Sequence, residues 1–359
     1  MKYFAILILS VLFYSGCTEC VTPTTTTPTQ STTLQKEALR SIAHDVIFAS
    51  YEKMLECSGE LQAAIAHLDN VRTPEALDSA RSSWRRCISS WMLTQAYLFG
   101  PVKYNQIDAL IATWPISPTD INVLLKGGTI FSPDELHFRS GSVKGYHVIE
   151  FLIFGDSANK DVSQITKREY QYLDALAETL VRDIGSLVSL WSPDERNYAG
   201  NFANAGDPEK SDFPTYQDAF DELMGNKGFI TDVAGSRRIF DAEFGNPQGT
   251  PPNPLVLESR FSKNTNHDLA DIIRSIKNIY LGGYNTEGKG LSALVVKVDT
   301  ALDASFRKHI EEAITAIEDM KPWIGVAMFN DRVKLTIARL AIKAVQDELD
   351  PIAKILTAK

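Results

Sequence analysis

A histidine and a glutamate three residues apart, His147 and Glu150, lie in the segment KGYHVIEFLIFG, residues 144–155. On a helix, positions i and i+3 leave one face, so the two side chains can meet a single ligand. Val148, Ile149, Phe151, Leu152, Ile153 and Phe154 surround the pair with apolar side chains. A glutamate in such a helix is expected to be buried, and a buried carboxylate needs a partner or a metal ion. An imidazole with a carboxylate suits Fe²⁺ or Zn²⁺ better than Ca²⁺. The competing reading is a structural histidine satisfied inside the core. His309 and Glu312 repeat the spacing within RKHIEEA, where a solvated helix face is the better account. His44, His67 and His267 sit among polar neighbours on helices and His137 in the loop-like SPDELHF, so surface or capping roles are expected.

Several chemistries find no support. There is no HExxH helix, and no second histidine follows Glu150 to make the inverted HxxEH motif. A zinc hydrolase ordinarily needs three protein ligands and a water, and two are visible locally. Walker-type glycine loops, a G-x-S-x-G elbow and a CxxCH haem-attachment motif are absent. The chain has 359 residues, with 45 acidic side chains against 36 basic, a formal charge of −9. That balance argues against a nucleic-acid partner, since phosphate backbones are met by basic surfaces.

The elements that must position the pair read as helices, so the fold class is all-α. Leu39, Ile42, Val46, Ala49 and Met54 form one apolar stripe, and Ala80, Trp84, Ile88, Trp91 and Leu98 a second. Between them, Thr73 and Pro74 provide an N-cap and a first helical residue. The resulting antiparallel hairpin sets Cys57 and Cys87 at one height, because each lies 15 residues from Arg72. In an oxidising compartment a disulfide there would contribute roughly 3–4 kcal/mol; two buried thiols facing apart is the alternative. Thr166 and Glu169 form a capping box for a helix running to Leu190. Similar spacing predicts helices over Tyr216–Phe244, Leu255–Leu281, Leu291–Met320 and Asp331–Leu356. The polar stretch Ser192–Ser211 marks a boundary between domains at 34–195 and 205–359.

The first residues address the chain. Met1-Lys2 precedes the apolar run Phe4–Tyr14, a leader too short to span as a mature helix. Ser15-Gly16-Cys17 resembles a bacterial lipobox, which makes residues 1–16 a signal peptide and Cys17 the lipidated residue; ordinary secretion with cleavage nearby is the alternative. The Cys17/Cys20 pair is then explained without redox chemistry. Residues 17–33 are Thr/Pro-rich and read as a disordered tether. Both readings take the mature chain out of the cytoplasm; the lipobox reading places it in the bacterial cell envelope, with the membrane engaged through a lipid anchor only.

The segment GYHVIEF resembles the GxHxxE motif of the imelysin family. WMLTQAYLFGP (91–101), IDALIATWP (107–115), Phe151–Gly155, Glu258–Ser262, Ile273–Ile276 and Tyr280–Gly282 resemble further elements of that family in its order. The resemblance implies two helical bundles side by side with a cleft that contains the GxHxxE helix. It also implies an envelope lipoprotein associated with iron uptake, whose partners are a metal ion or an iron chelate and envelope transport proteins. His147 and Glu150 carry over directly as metal residues. Asp108 and Glu258 fall in resembling segments as candidate further ligands, and Arg274 as a side chain orienting them or pairing with an anionic chelate. Iron is the expected metal, with zinc as the other candidate. Some members carry a peptidase label, and a metallopeptidase using His147 and Glu150 is the alternative to binding. A third reading is an interaction module in which the pair is structural.

Overall fold

The computed structural model describes residues 30–225 and 252–358. The expected leader and Cys17 lie outside them; the helix expected over Tyr216–Phe244 ends at Met224, where Gly225 turns extended, and the remainder of that stretch lies outside the described residues. Among the described residues every regular element is helical. The helices are α1 (Gln30–Ser41), α2 (Ala49–Val71), α3 (Pro74–Met92), α4 (Pro101–Tyr104), α5 (Ile107–Ile111), α6 (Pro118–Lys126), α7 (Pro133–His137) and α8 (Tyr146–Phe154). They continue as α9 (Lys167–Trp191), α10 (Tyr198–Ala203), α11 (Tyr216–Met224), α12 (Thr265–Leu281), α13 (Ser292–Val298), α14 (Thr300–Glu318), α15 (Ile324–Asn330) and α16 (Arg332–Thr357). A π-helical stretch, Ile42–Phe48, joins α1 to α2.

Local signals set several boundaries. Thr73 caps α3 by accepting from the Ala76 N–H, with Pro74 at the first helical position. Thr166 and Glu169 close a reciprocal capping box on α9. Other expectations need correction. Helix α1 starts at Gln30, inside the stretch read as tether. The helix expected over Leu291–Met320 divides at Asp299, whose side chain caps α14 by accepting from the Leu302 N–H. The helix expected over Leu255–Leu281 begins only at Thr265. Ser259 and Lys263 hold φ of 55° and 57°, left-handed values that no continuous right-handed helix contains.

Packing follows the apolar stripes. Helix α2 lies chiefly against α3 and α9, and α14 against α12 and α16. Helix α12 also packs on α3, where the Ser89 hydroxyl donates to Asp271 at 2.6 Å, and on the 3-10 turn Gln95–Tyr97 that follows, where the Ala96 N–H donates to Ser275 at 3.0 Å. Helix α1 joins early and late parts of the chain, since the Ser41 hydroxyl donates to the Gly282 carbonyl at 2.7 Å. The α2–α3 hairpin brings Cys57 and Cys87 together as buried free thiols. Their hydrogen bond pulls the Cys57 thiol down to about 7.

Candidate functional site

Helix α8 is nine residues long and buried on every side; only Phe151 is partly exposed. Trp84 fixes its start by donating from Nε1 to the Tyr146 carbonyl at 2.9 Å. Gly145, just before it, has φ of +80°, and a Cβ there would lie 2.3 Å from the Ile111 carbonyl oxygen. Only glycine combines that torsion with so close an approach to the end of α5. Gly145→Ala is therefore expected to cost about 2 kcal/mol or more, read as a lower melting temperature.

His147 and Glu150 are both completely buried. His147 Nδ1 lies 3.0 Å from Glu150 Oε2. The other glutamate oxygen, Oε1, accepts from the Ser262 N–H and from its hydroxyl, each at 2.8 Å. Three donors thus converge on one carboxylate, which answers its burial without a metal ion. Arg85 adds a nearby positive charge and donates to the Ser262 carbonyl at 2.9 Å.

The second ring nitrogen faces a different carboxylate. His147 Nε2 lies 3.2 Å from Glu258 Oε1, and the Glu258 side chain retains slight exposure. The i, i+3 pair therefore does not present two side chains to one ligand, as the helical spacing suggested. Glu150 holds Nδ1, while Nε2 points to a residue 111 positions away. Burial alone would push the imidazole pKa down. The hydrogen bonds and charges of Glu150 and Glu258 outweigh it and raise His147 to about 9. In this arrangement the ring is an imidazolium between two carboxylates.

Trp114 covers the pair, its ring centroid 5.0 Å from that of His147 in an edge-on contact. Its Nε1 donates to the Val256 carbonyl at 3.0 Å. Trp114 and Glu258 then line a cavity of about 190 Å³ with Leu257, Asp268, Leu269 and Ile272. Buried Asp268 accepts from Asn264 Nδ2 at 2.7 Å. Burial pushes its carboxyl well above the usual range; the Asn264 hydrogen bond and the nearby Ser259 hydroxyl oppose this, and the charges of Glu258 and Glu150 add to it.

Asp108 stands half-buried in the first turn of α5. Among the described residues, no hydrogen bond or ion pair joins its carboxylate to His147. Arg274 is engaged elsewhere, 2.9 Å from Asp271 and paired with Glu318 of α14. It follows the phase of α12 toward α14 and does not orient the His147 pair. His309 meets Glu348 at 3.0 Å rather than Glu312. Ser262, Trp114, Arg85 and Asp268 belong to the site and were not singled out from the sequence. The first two lie inside segments that carried the family resemblance.

The donor set fits a metal ion in part. Two ligands each about 2.0–2.2 Å from one ion stand about 3 Å apart, close to the Nε2–Glu258 separation. Glu150 on Nδ1 matches the way a carboxylate orients a ligating histidine. Among the described residues, no group of three His, Cys, Asp or Glu side chains is arranged to hold a metal.

Residues 47–355 match the profile of the Imelysin family. Iron-regulated protein A of Synechococcus elongatus is 24% identical over 326 residues, covering 88% of this chain and 85% of that protein. A crystal structure described as an iron-regulated protein A precursor from Parabacteroides distasonis superposes with a TM-score of 0.81. It is 23% identical, with 93% of this chain and 97% of that one covered. An imelysin-like protein from Psychrobacter arcticum gives 0.66 at 12% identity, with 92% and 95% covered. With 309 of its 359 residues inside one family profile, the chain belongs to the imelysin family.

Proposed function

We propose that this protein binds iron, as the ion or as a small chelate, at His147 and Glu258, and serves iron uptake in the bacterial cell envelope. The observation that carries the reading is the His147 ring itself: Glu150 fixes Nδ1, which leaves Nε2 and Glu258 as a donor pair at 3.2 Å beside a cavity. The protein supplies two donors, so a bound ion retains positions for water or for a chelator's own oxygens, and Asp108 is the candidate third protein ligand. Zinc satisfies the same donors and is the competing metal. The names of two relatives, which call them iron-regulated, support the choice of iron. Lipidation at Cys17 and delivery to envelope transport proteins complete the proposal.

A peptidase role for Glu150 as general base is less well served. Both of its oxygens are occupied, by His147 on one side and Ser262 on the other. A base must reach the water it activates.

The test is elemental analysis of the chain from Thr18 onward, after loading with Fe²⁺ without oxygen and with Zn²⁺ in parallel, beside His147→Ala. The expected result is near-stoichiometric metal in the parent, with iron retained through dialysis, and a loss of tenfold or more in the variant. Equal metal in parent and variant would sink the assignment.

A further inference from the structure

Helices α15 and α16 carry an outward apolar face that the fold does not use. On α16, Leu335, Ala338, Ile342, Val345 and Leu349 turn inward and are buried. Val333, Ile337 and Leu340, at i, i+4 and i+7, share the opposite side and are 70%, 53% and 57% exposed. Val326 and Phe329 of α15 extend this exposure toward the α15–α16 junction, Phe329 at 57%. Isolated apolar side chains on a surface are ordinary, but three large ones on one face of α16, preceded in the chain by exposed Val326 and Phe329 of α15, are the pattern of an interaction site.

The charge around the patch identifies what it fits. Between residues 321 and 343 the basic side chains are Lys321, Arg332, Lys334, Arg339 and Lys343, against the single acidic Asp331. This segment is therefore strongly positive in a chain whose net charge is −9. Asp331 is used internally, capping α16 by accepting from the Lys334 N–H at 3.2 Å. Lys343 pairs with Asp347 at 2.6 Å, but both are well exposed, and such pairs hold little energy against a competing anion. Apolar side chains bordered by cations are the pattern of a helix lying at an anionic bilayer surface, where long basic side chains reach the phosphates while aliphatic and aromatic ones enter the headgroup region. A symmetric contact between two copies would instead set these cations against their own equivalents.

We propose that the α15–α16 face docks on an anionic lipid bilayer, with Val326, Phe329, Val333, Ile337 and Leu340 entering the headgroup layer and the flanking basic side chains meeting lipid phosphates. This contact is additional to any lipid at Cys17 and does not depend on the iron site. It would lay the protein body on the membrane in one orientation, which a lipid at Cys17 alone would not set.

The chain from Thr18 onward, which keeps every described helix and omits the apolar leader, is to be sedimented with phosphatidylglycerol–phosphatidylcholine vesicles and with pure phosphatidylcholine vesicles. Binding is expected to the first and at least tenfold less to the second, weakening as salt rises from about 0.1 to 0.5 M. Ile337→Asp with Leu340→Asp should lower binding to anionic vesicles tenfold or more while circular dichroism and melting stay at parent values. Should that pair disturb folding, Lys334→Gln with Arg339→Gln and Lys343→Gln keeps the apolar face and should remove most of the salt-dependent part. No binding of the parent to anionic vesicles, or binding unchanged in correctly folded variants, overturns the proposal. So does a parent that sediments as a dimer and becomes monomeric in Ile337→Asp/Leu340→Asp without any vesicle binding, since the face would then join two copies.

Discussion

Replacing Glu150 with alanine is expected to destabilise the protein by about 3–5 kcal/mol, the cost of removing one partner from a fully buried charge network. The carboxylate accepts hydrogen bonds from His147 Nδ1 and from the N–H and hydroxyl of Ser262, all inside the core. Without it, the buried Ser262 N–H loses its acceptor, the Ser262 hydroxyl is left with the Ser259 carbonyl at 3.1 Å, and His147 retains only Glu258. Glu258→Ala removes the other carboxylate, but that side chain keeps contact with solvent. Its expected cost is smaller, about 1.5 kcal/mol, the low end for a hydrogen bond between charged groups. Denaturant unfolding of the two variants reads the difference. Iron binding separates their roles further: Glu258→Ala should lose metal with little loss of stability, and Glu150→Ala should lose both. Equal destabilisation by the two substitutions would show that Glu150 does not anchor the site.

The second large effect is on pH, and it takes opposite signs for stability and for metal affinity. In the metal-free protein His147 is raised from 6.5 to about 9. A group whose folded pKa lies above its unfolded value stabilises fully below about 6.5, and that contribution is lost as pH climbs through about 9. The raised value corresponds to about 3 kcal/mol for this buried ring. Metal-free parent should therefore lose stability relative to His147→Gln between pH 6 and pH 10, measured by paired unfolding curves. The comparison with the variant subtracts the other groups that titrate in that range, Cys57 among them.

Metal affinity should move the other way, because an ion on Nε2 has to displace the proton shared with Glu258. Affinity is expected to rise about tenfold per pH unit through the range below about 9. With an unperturbed imidazole the rise would end near 6.5. Calorimetric titration with Zn²⁺ at pH 6, 7 and 8 distinguishes the two. Affinity that levels off above about pH 7 would mean that the two carboxylates do not hold the imidazolium.

Much of the fold was legible because its signals are local. Thr73 with Pro74, and Thr166 with Glu169, satisfy orphaned N–H groups within one turn of the chain. Their meaning is complete in three or four residues. The burial of Glu150 was legible for the same reason, from apolar neighbours on every side of its helix. The family motif added the 258–262 segment as a candidate neighbour, and Glu258 does reach His147.

Tertiary structure alone decided which nitrogen meets which carboxylate. Helical spacing set His147 and Glu150 on one face, but it could not show that Ser262 would saturate Glu150 from 112 positions away. That contact requires residues 257–264 to leave the helical path at Ser259 and Lys263, although Leu255 to Leu281 carries helical periodicity. Periodicity reports which residues avoid water; it does not report where a turn brings a donor. Arg274 shows the same limit, since its position in a resembling segment did not reveal that its helical phase gives it to Asp271 and Glu318. The sequence thus determined that a carboxylate and a histidine would be buried together in an all-helical protein. Long-range packing determined that one carboxylate orients the ring and the other shares its outward nitrogen, because hydrogen-bond partners are chosen by position in space and not by distance along the chain.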